Sequence, residues 1–178
     1  MRLWSVRLAL LAVVVLTIGC DQVAKHIAST RLADGPPQSY LGGAFRLEYA
    51  ENTGGFLSLG AELPAWARVT IFSVGNGILL VGCLVAVFRH QWRRLALLGL
   101  CLLFAGGLSN FVDRIVHGRV VDFLYVGIGP ARTGIFNVAD MAILFGIALI
   151  VCSRPLDSTP NFATPNPQAT ADSQFPSD

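Results

Sequence analysis

Four apolar stretches, each about twenty residues long, constrain this chain more than any other feature. The hydrocarbon core of a bilayer, about 30 Å thick, takes roughly 20 mostly apolar residues of α-helix. Residues 69–88 and 95–112 contain no charged side chain. Residues 133–153 contain one, Asp140, with the span itself expected from about residue 135; residues 8–28 contain Asp21 and Lys25 near their end. Only 13% of the 178 residues are charged and 53% are apolar, against about 25% charged in an ordinary soluble domain. That balance excludes a water-soluble enzyme and a disordered protein. A net charge of +2 is too small to make nucleic acid a default partner. The expected fold class is membrane α-helical: four transmembrane helices with a small extracytoplasmic β-sheet, in one domain over residues 1–154.

Basic residues in short connections set the orientation. Arg2 and Arg7 precede the first span, Arg89, Arg93 and Arg94 crowd the connection between the second and third, and Arg154 follows the fourth. Both termini are therefore expected in the cytoplasm. Phe45, Leu47 and Tyr49 alternate with polar or small neighbours, the period of a half-buried strand. Asn52-Thr53-Gly54-Gly55 reads as a tight turn, with residues 56–59 as a returning strand, so the β region is expected over about 39–60. Residues 155–178 hold five of the nine prolines among Ser, Thr, Asn and Gln and are expected to be a disordered cytoplasmic tail.

Cys20, Cys83, Cys101 and Cys152 all fall in apolar stretches with no CxxC pair and read as small hydrophobes. Cys20 alone has a second reading, as the lipidated Cys of a lipoprotein leader. Thr17 stands where such leaders carry Leu, and three more spans follow, so the leader is the weaker reading.

An Asp at the centre of a membrane helix costs about 2.5–3.5 kcal/mol on insertion scales, so each acid near a span requires a reason. Asp140 lies in the first turns of the fourth span with Asn137 three residues before it, so both are expected to project from one helix face. Asn110, Asp113 and Arg114 end the third span, and Asp122 sits between Val121 and Phe123 in an extended piece. Asp122 and Asp140, 18 positions apart, can meet where hydrocarbon ends. Packed closely, two carboxylates share one proton; the ionised one deprotonates a water while the other donates to a carbonyl. Competing hydrolytic chemistries lack their residues. The histidines are His26, His90 and His117, with no HExxH for zinc, and no later span offers a base for Ser109, which reads as a packing residue. An ion pathway through Asp21, Asp113, Asp122 and Asp140 would call for an internal repeat, and none is visible.

With these residues assembled, residues 8–151 resemble the bacterial lipoprotein signal peptidase family, signal peptidase II. Asp21-Gln22-Val23-Ala24-Lys25 is similar to its D-x-x-S/T-K, and Asn52-Thr53-Gly54 to its N-x-G turn. Gly106-Gly107 with Asn110 through Arg114 resembles its GG…GN-x-x-DR block, and Phe136 through Asp140 its F-N-x-A-D. The resemblance implies Asp122 and Asp140 as the catalytic pair, with Asn52, Asn110, Arg114 and Asn137 positioning the substrate. It implies structural roles for Asp21, Lys25, Gly54 and Asp113; Lys25, the sole lysine, either snorkels or pairs with a neighbouring acid. It further implies no metal, no cofactor, and a diacylglyceryl-prolipoprotein substrate cut just before its lipidated Cys. The setting would be the bacterial cytoplasmic (inner) membrane among its lipids, with the active site toward the extracytoplasmic side. Ala24, Ser109 and Gly55-Phe56-Leu57 depart from the family pattern; Ser109 in place of Gly predicts a looser helix approach there.

Overall fold

The computed structural model describes residues 2–54, 62–89 and 92–153. Helix α1 (Arg2–Arg31) carries the first apolar stretch and runs unbroken through Cys20, whose side chain is exposed. Strands β1 (Gln38–Tyr40) and β2 (Phe45–Asn52) follow, then α2 (Ala65–Arg89) and α3 (Arg94–His117). Strands β3 (Val120–Ile128) and β4 (Ala131–Arg132) lead into α4 (Val138–Cys152). Three of these helices are long and apolar enough to cross a membrane, and α4 is a shorter apolar helix. The result is a helical bundle with a four-stranded antiparallel sheet, ordered β1-β2-β3-β4, set where α1 and α3 end and α2 and α4 begin.

Helix ends differ from the apolar runs for local reasons. The run in α3 stops before Asp113, yet the helix continues to His117 because Asp113 is neutralised inside the bundle. It stops at Gly118, whose N–H still reaches the Arg114 carbonyl at 3.0 Å while its left-handed backbone (φ 71°) turns the chain out of the helix, a glycine C-cap. The fourth apolar run begins well before its helix. Phe136 pairs with Leu124 along the sheet, and α4 starts only after Asn137. Fifteen residues rise about 22 Å, less than a full hydrocarbon core, so α4 begins at a depth where polar groups must find partners within the protein.

In lipid, close backbone approach rather than hydrophobicity joins helices. A Cβ on Gly99 would lie 2.6 Å from the Gly146 carbonyl oxygen, and one on Gly106 would collide with the Ala139 carbonyl. Gly106 therefore allows the first turn of α4 to lie against α3. Gly107 faces α2 instead, where Asn76 Nδ2 donates to its carbonyl at 2.9 Å. Away from the sheet, Cys83, Leu100 and Leu103 form a buried apolar cluster with Phe104, Ile143 and Ile150. Cys83 is buried, Cys101 half-buried and Cys152 exposed, and all four cysteines are free.

The strand expected at 45–49 is β2, extending to Asn52. Its neighbours are β1 and β3, neither of them expected as strand partners, with Ala50 opposite Asp122 and Asn52 opposite Val120. The returning strand expected at 56–59 lies outside the described residues, as does the tail from residue 154.

Candidate active site

Ten polar or charged residues are buried among the described residues, eight of them singled out from the sequence: Asp21, Lys25, Asn52, Asn110, Asp113, Asp122, Asn137 and Asp140. They fall into two adjoining clusters. The first belongs to α1 and α3. Lys25 Nζ lies 2.6 Å from both Asp21 Oδ2 and Asp113 Oδ2, and donates to Asn110 Oδ1 at 2.8 Å. Lys25 is thus paired and buried and does not snorkel. Asp21 Oδ1 accepts the Ala139 N–H at 2.8 Å, tying α1 to the start of α4.

Ser109 is more than the packing residue expected from the sequence. Its hydroxyl donates to Asp21 Oδ2 at 2.7 Å and accepts from Gln22 Nε2 at 2.9 Å. Gln22 also donates to Asp113 Oδ1 at 2.9 Å. Every oxygen of the two acids is partnered, as burial of charge demands. Nothing local in the sequence marked Gln22 or Ser109 for this role except a polar side chain on a lipid-spanning helix.

The second cluster brings the sheet to α4. Asp122, on β3, accepts from Asn52 Nδ2 at 2.8 Å and from Asn137 Nδ2 at 2.7 Å, one to each carboxylate oxygen. Asp140 accepts from Asn110 Nδ2 at 2.9 Å and from the Asn137 backbone N–H at 3.2 Å. Asn137 is not on a helix face with Asp140, as the spacing had suggested. It is the N-cap of α4, its side chain accepting the Asp140 N–H at 2.9 Å while Asp140 reaches back. This reciprocal capping box places one residue between the two carboxylates. Asn110 joins the clusters, accepting from Lys25 and Asn137 while donating to Asp140.

Arg114 makes no ion pair among the described residues; its Nη2 donates to the Gly54 carbonyl at 2.9 Å and its Nη1 to the Asn110 carbonyl at 3.2 Å. It thereby pins the turn after β2, in which the Gly54 N–H donates to Asn52 Oδ1 at 2.9 Å. Arg114 Nε is buried without a partner.

No cation lies within ion-pair distance of Asp122 or Asp140 among the described residues. Burial pushes Asp122 up to about 6, the neighbouring Asp140 charge adds to that, and the Asn52 and Asn137 amides oppose it. Beside the pair a cleft of about 540 Å³ runs between α2, α3 and α4, with Asn110, Arg114 and Asp140 among its lining. The rest of its wall is apolar, including Ile71, Phe72, Leu79, Ile143 and Leu144, apart from Asn76, which the sequence reading had not singled out. Among the described residues no group of three or more His, Cys, Asp or Glu side chains is arranged to hold a metal ion.

Comparisons with known proteins agree with one another. Residues 13–154 match the family model for signal peptidase (SPase) II. The lipoprotein signal peptidase of Moorella thermoacetica is 37% identical over 145 residues, covering 80% of this chain and 88% of that protein. That of Azoarcus sp. is 33% identical over 138 residues, covering 77% of each. Among solved structures, a bacterial membrane enzyme determined by the in meso method at 1.9 Å superposes with a TM-score of 0.72 at 27% identity, over 84% of this chain and 94% of that one. A second, at 2.3 Å, gives 0.71 at 28% identity over 81% and 85%. Taken with the buried acids and amides at the head of α4, these matches establish that the chain belongs to the signal peptidase II family.

Proposed function

We propose that Asp122 and Asp140 form an aspartic dyad that uses water to cut diacylglyceryl-modified prolipoproteins just before the lipidated Cys. The observation that carries this reading is the pair of carboxylates that both bond Asn137, Asp140 through the capping box and Asp122 through the side-chain amide, neither ion-paired among the described residues. Such a pair holds one proton between its members. Asp122, pushed up to about 6, is suited to retain it in mildly acidic water. The ionised partner takes a proton from a water whose oxygen adds to the scissile carbonyl carbon, and the protonated member donates to the carbonyl oxygen. Collapse breaks the C–N bond: the departing amine takes the proton that the first carboxylate drew from water, and a hydroxyl of the tetrahedral diol returns a proton to the second, leaving a carboxylic acid and a dyad with one proton again.

The cleft beside Asp140 suits an apolar signal segment, and its mouth supplies the amide of Asn110 and the guanidinium of Arg114. In a water-poor site these groups fix the register of a peptide backbone. The high density of arginine on the opposite side supports a topology with both termini in the cytoplasm and the dyad toward the extracytoplasmic face of the inner membrane. Asp122→Asn and Asp140→Asn test the reading in a gel-shift assay on a lipidated precursor. Each is expected to lower turnover by at least about a thousandfold while thermal unfolding still shows a folded bundle. Processing at the wild-type rate by both variants would falsify the dyad.

A further inference from the structure

The end of the sheet farthest from the dyad carries a second polar concavity, which the proposed cleavage does not use. It encloses about 340 Å³ and is lined by Arg46, Tyr125, Gly127, Ile128 and Arg132, with glycines of the β1–β2 turn. The strand register explains how it forms. Arg46 lies opposite Tyr125 and Gly127 opposite Arg132, and alternate residues of a strand share a face. Arg46, Tyr125, Gly127 and Arg132 therefore lie on one side of the sheet.

Gly127 has no side chain, and the Tyr125 ring occupies that space: a Cβ on Gly127 would meet the Tyr125 hydroxyl at 2.9 Å. The Arg46 guanidinium stacks on the same ring, 4.9 Å from its centroid, which holds it extended at little entropic cost. Among the described residues no carboxylate lines the pocket. Neither arginine forms an ion pair among the described residues. Two guanidiniums and a phenol hydroxyl thus converge on a space with no counter-charge.

The rim is apolar. Leu41, next to the glycine turn, is 85% exposed and Ile128 is 72% exposed. Leu41 is also the one non-glycine residue with positive φ (52°) among the described residues. The sheet sits where the helices end, which is the level of lipid headgroups. Asp122 and Ile128 are six residues apart on β3, or about 20 Å, so the pocket is remote from the dyad.

We propose that this pocket binds the phosphate of an anionic glycerophospholipid, with Arg46, Arg132 and Tyr125 on the phosphate oxygens and Leu41 and Ile128 among the acyl chains. It moors the outer end of β3 to the membrane. The assignment does not rest on the dyad.

The test uses the purified full chain in neutral detergent, titrated with dioctanoyl phosphatidylglycerol, dioctanoyl phosphatidylcholine or inorganic phosphate, with bound adducts counted by native mass spectrometry. Wild type is expected to retain phosphatidylglycerol over phosphatidylcholine. R46Q/R132Q is expected to weaken phosphatidylglycerol about 10- to 30-fold, while R7Q at the far end of α1 leaves it unchanged. L41S/I128S should weaken the lipid several-fold and leave phosphate binding as it was. Thermal unfolding checks the fold of each variant; should the double variant fail to fold, Arg132→Gln, at an exposed residue, carries the test alone. Wild-type lipid retention by R46Q/R132Q, or by R132Q in that event, overturns the site. Inorganic phosphate competing as well as the lipid overturns the assignment to a lipid headgroup.

Discussion

Two pairs of acids lie side by side in this bundle, and their partners differ in kind. Asp21 and Asp113 share an ammonium, Lys25, at 2.6 Å from each. Asp122 and Asp140 share an amide residue, Asn137, and receive further N–H bonds from Asn52 and Asn110. A buried cation makes the acids it touches costly to disturb, because removing it strands their charge. Amides satisfy carboxylate oxygens without supplying a full positive charge, so ionisation remains adjustable and one member is pushed up toward neutrality. The first pair is built to hold three helices together. The second has the partners that the proposed proton exchange requires, and Asn110 links the two clusters.

Mutations at each pair put the contrast to the test. The largest effect belongs to the second pair: the thousandfold loss expected for Asp122→Asn or Asp140→Asn should come with little change in unfolding temperature. Lys25→Met inverts the pattern. It strands two buried carboxylates, which costs about 3–5 kcal/mol, and thermal unfolding should show it. Activity should fall with the folded fraction; a fully stable Lys25→Met protein would contradict the structural role.

Asn137→Ala touches both functions, removing an N-cap worth about 1 kcal/mol and a hydrogen bond to Asp122. Turnover should fall about 10- to 100-fold with a small drop in stability, and equal losses relative to Lys25→Met would erase the distinction. The smallest effect is on pH. Asp122 has a folded value near 6, above its ordinary 3.8, so it holds a proton below that pH and loses it above. The kcat/KM profile should therefore decline as pH rises through about 6 or somewhat higher. By linkage the folded state binds the extra proton between about 4 and 6, so Asp122 lowers stability as pH rises through that window, and Asp122→Asn should flatten that slope. A kcat/KM that climbs steadily from pH 5 to 8 would assign the proton elsewhere.

The helices and most buried polar residues were legible in the sequence because charge within an apolar run is expensive and therefore conspicuous. Asp21, Lys25, Asp113, Asp122 and Asp140 all declared themselves this way. What was not legible depended on partners distant in the chain. The extension of α3 past Asp113 follows from a lysine 88 residues away, and the Ser109 bonds follow from Asp21 at the same separation. The late start of α4 follows from the pairing of Phe136 with Leu124. Strand β3 read as a short extended piece because, Asp122 apart, its residues are mostly apolar on both faces and lack the alternation that marked β2. Asn137 carried a signal that was misread: an Asn three residues before an acid at a helix start is a capping box as readily as a shared face.

The account stands on the two carboxylates working as one unit, and a double-mutant cycle measures that directly. Cleavage of a lipidated precursor would be compared for Asp122→Asn, Asp140→Asn and the two together, each variant checked for folding. If the pair shares one proton and one water, the double variant loses no more than the worse single variant. Losses that multiply would mean two acids acting independently, and would contradict it.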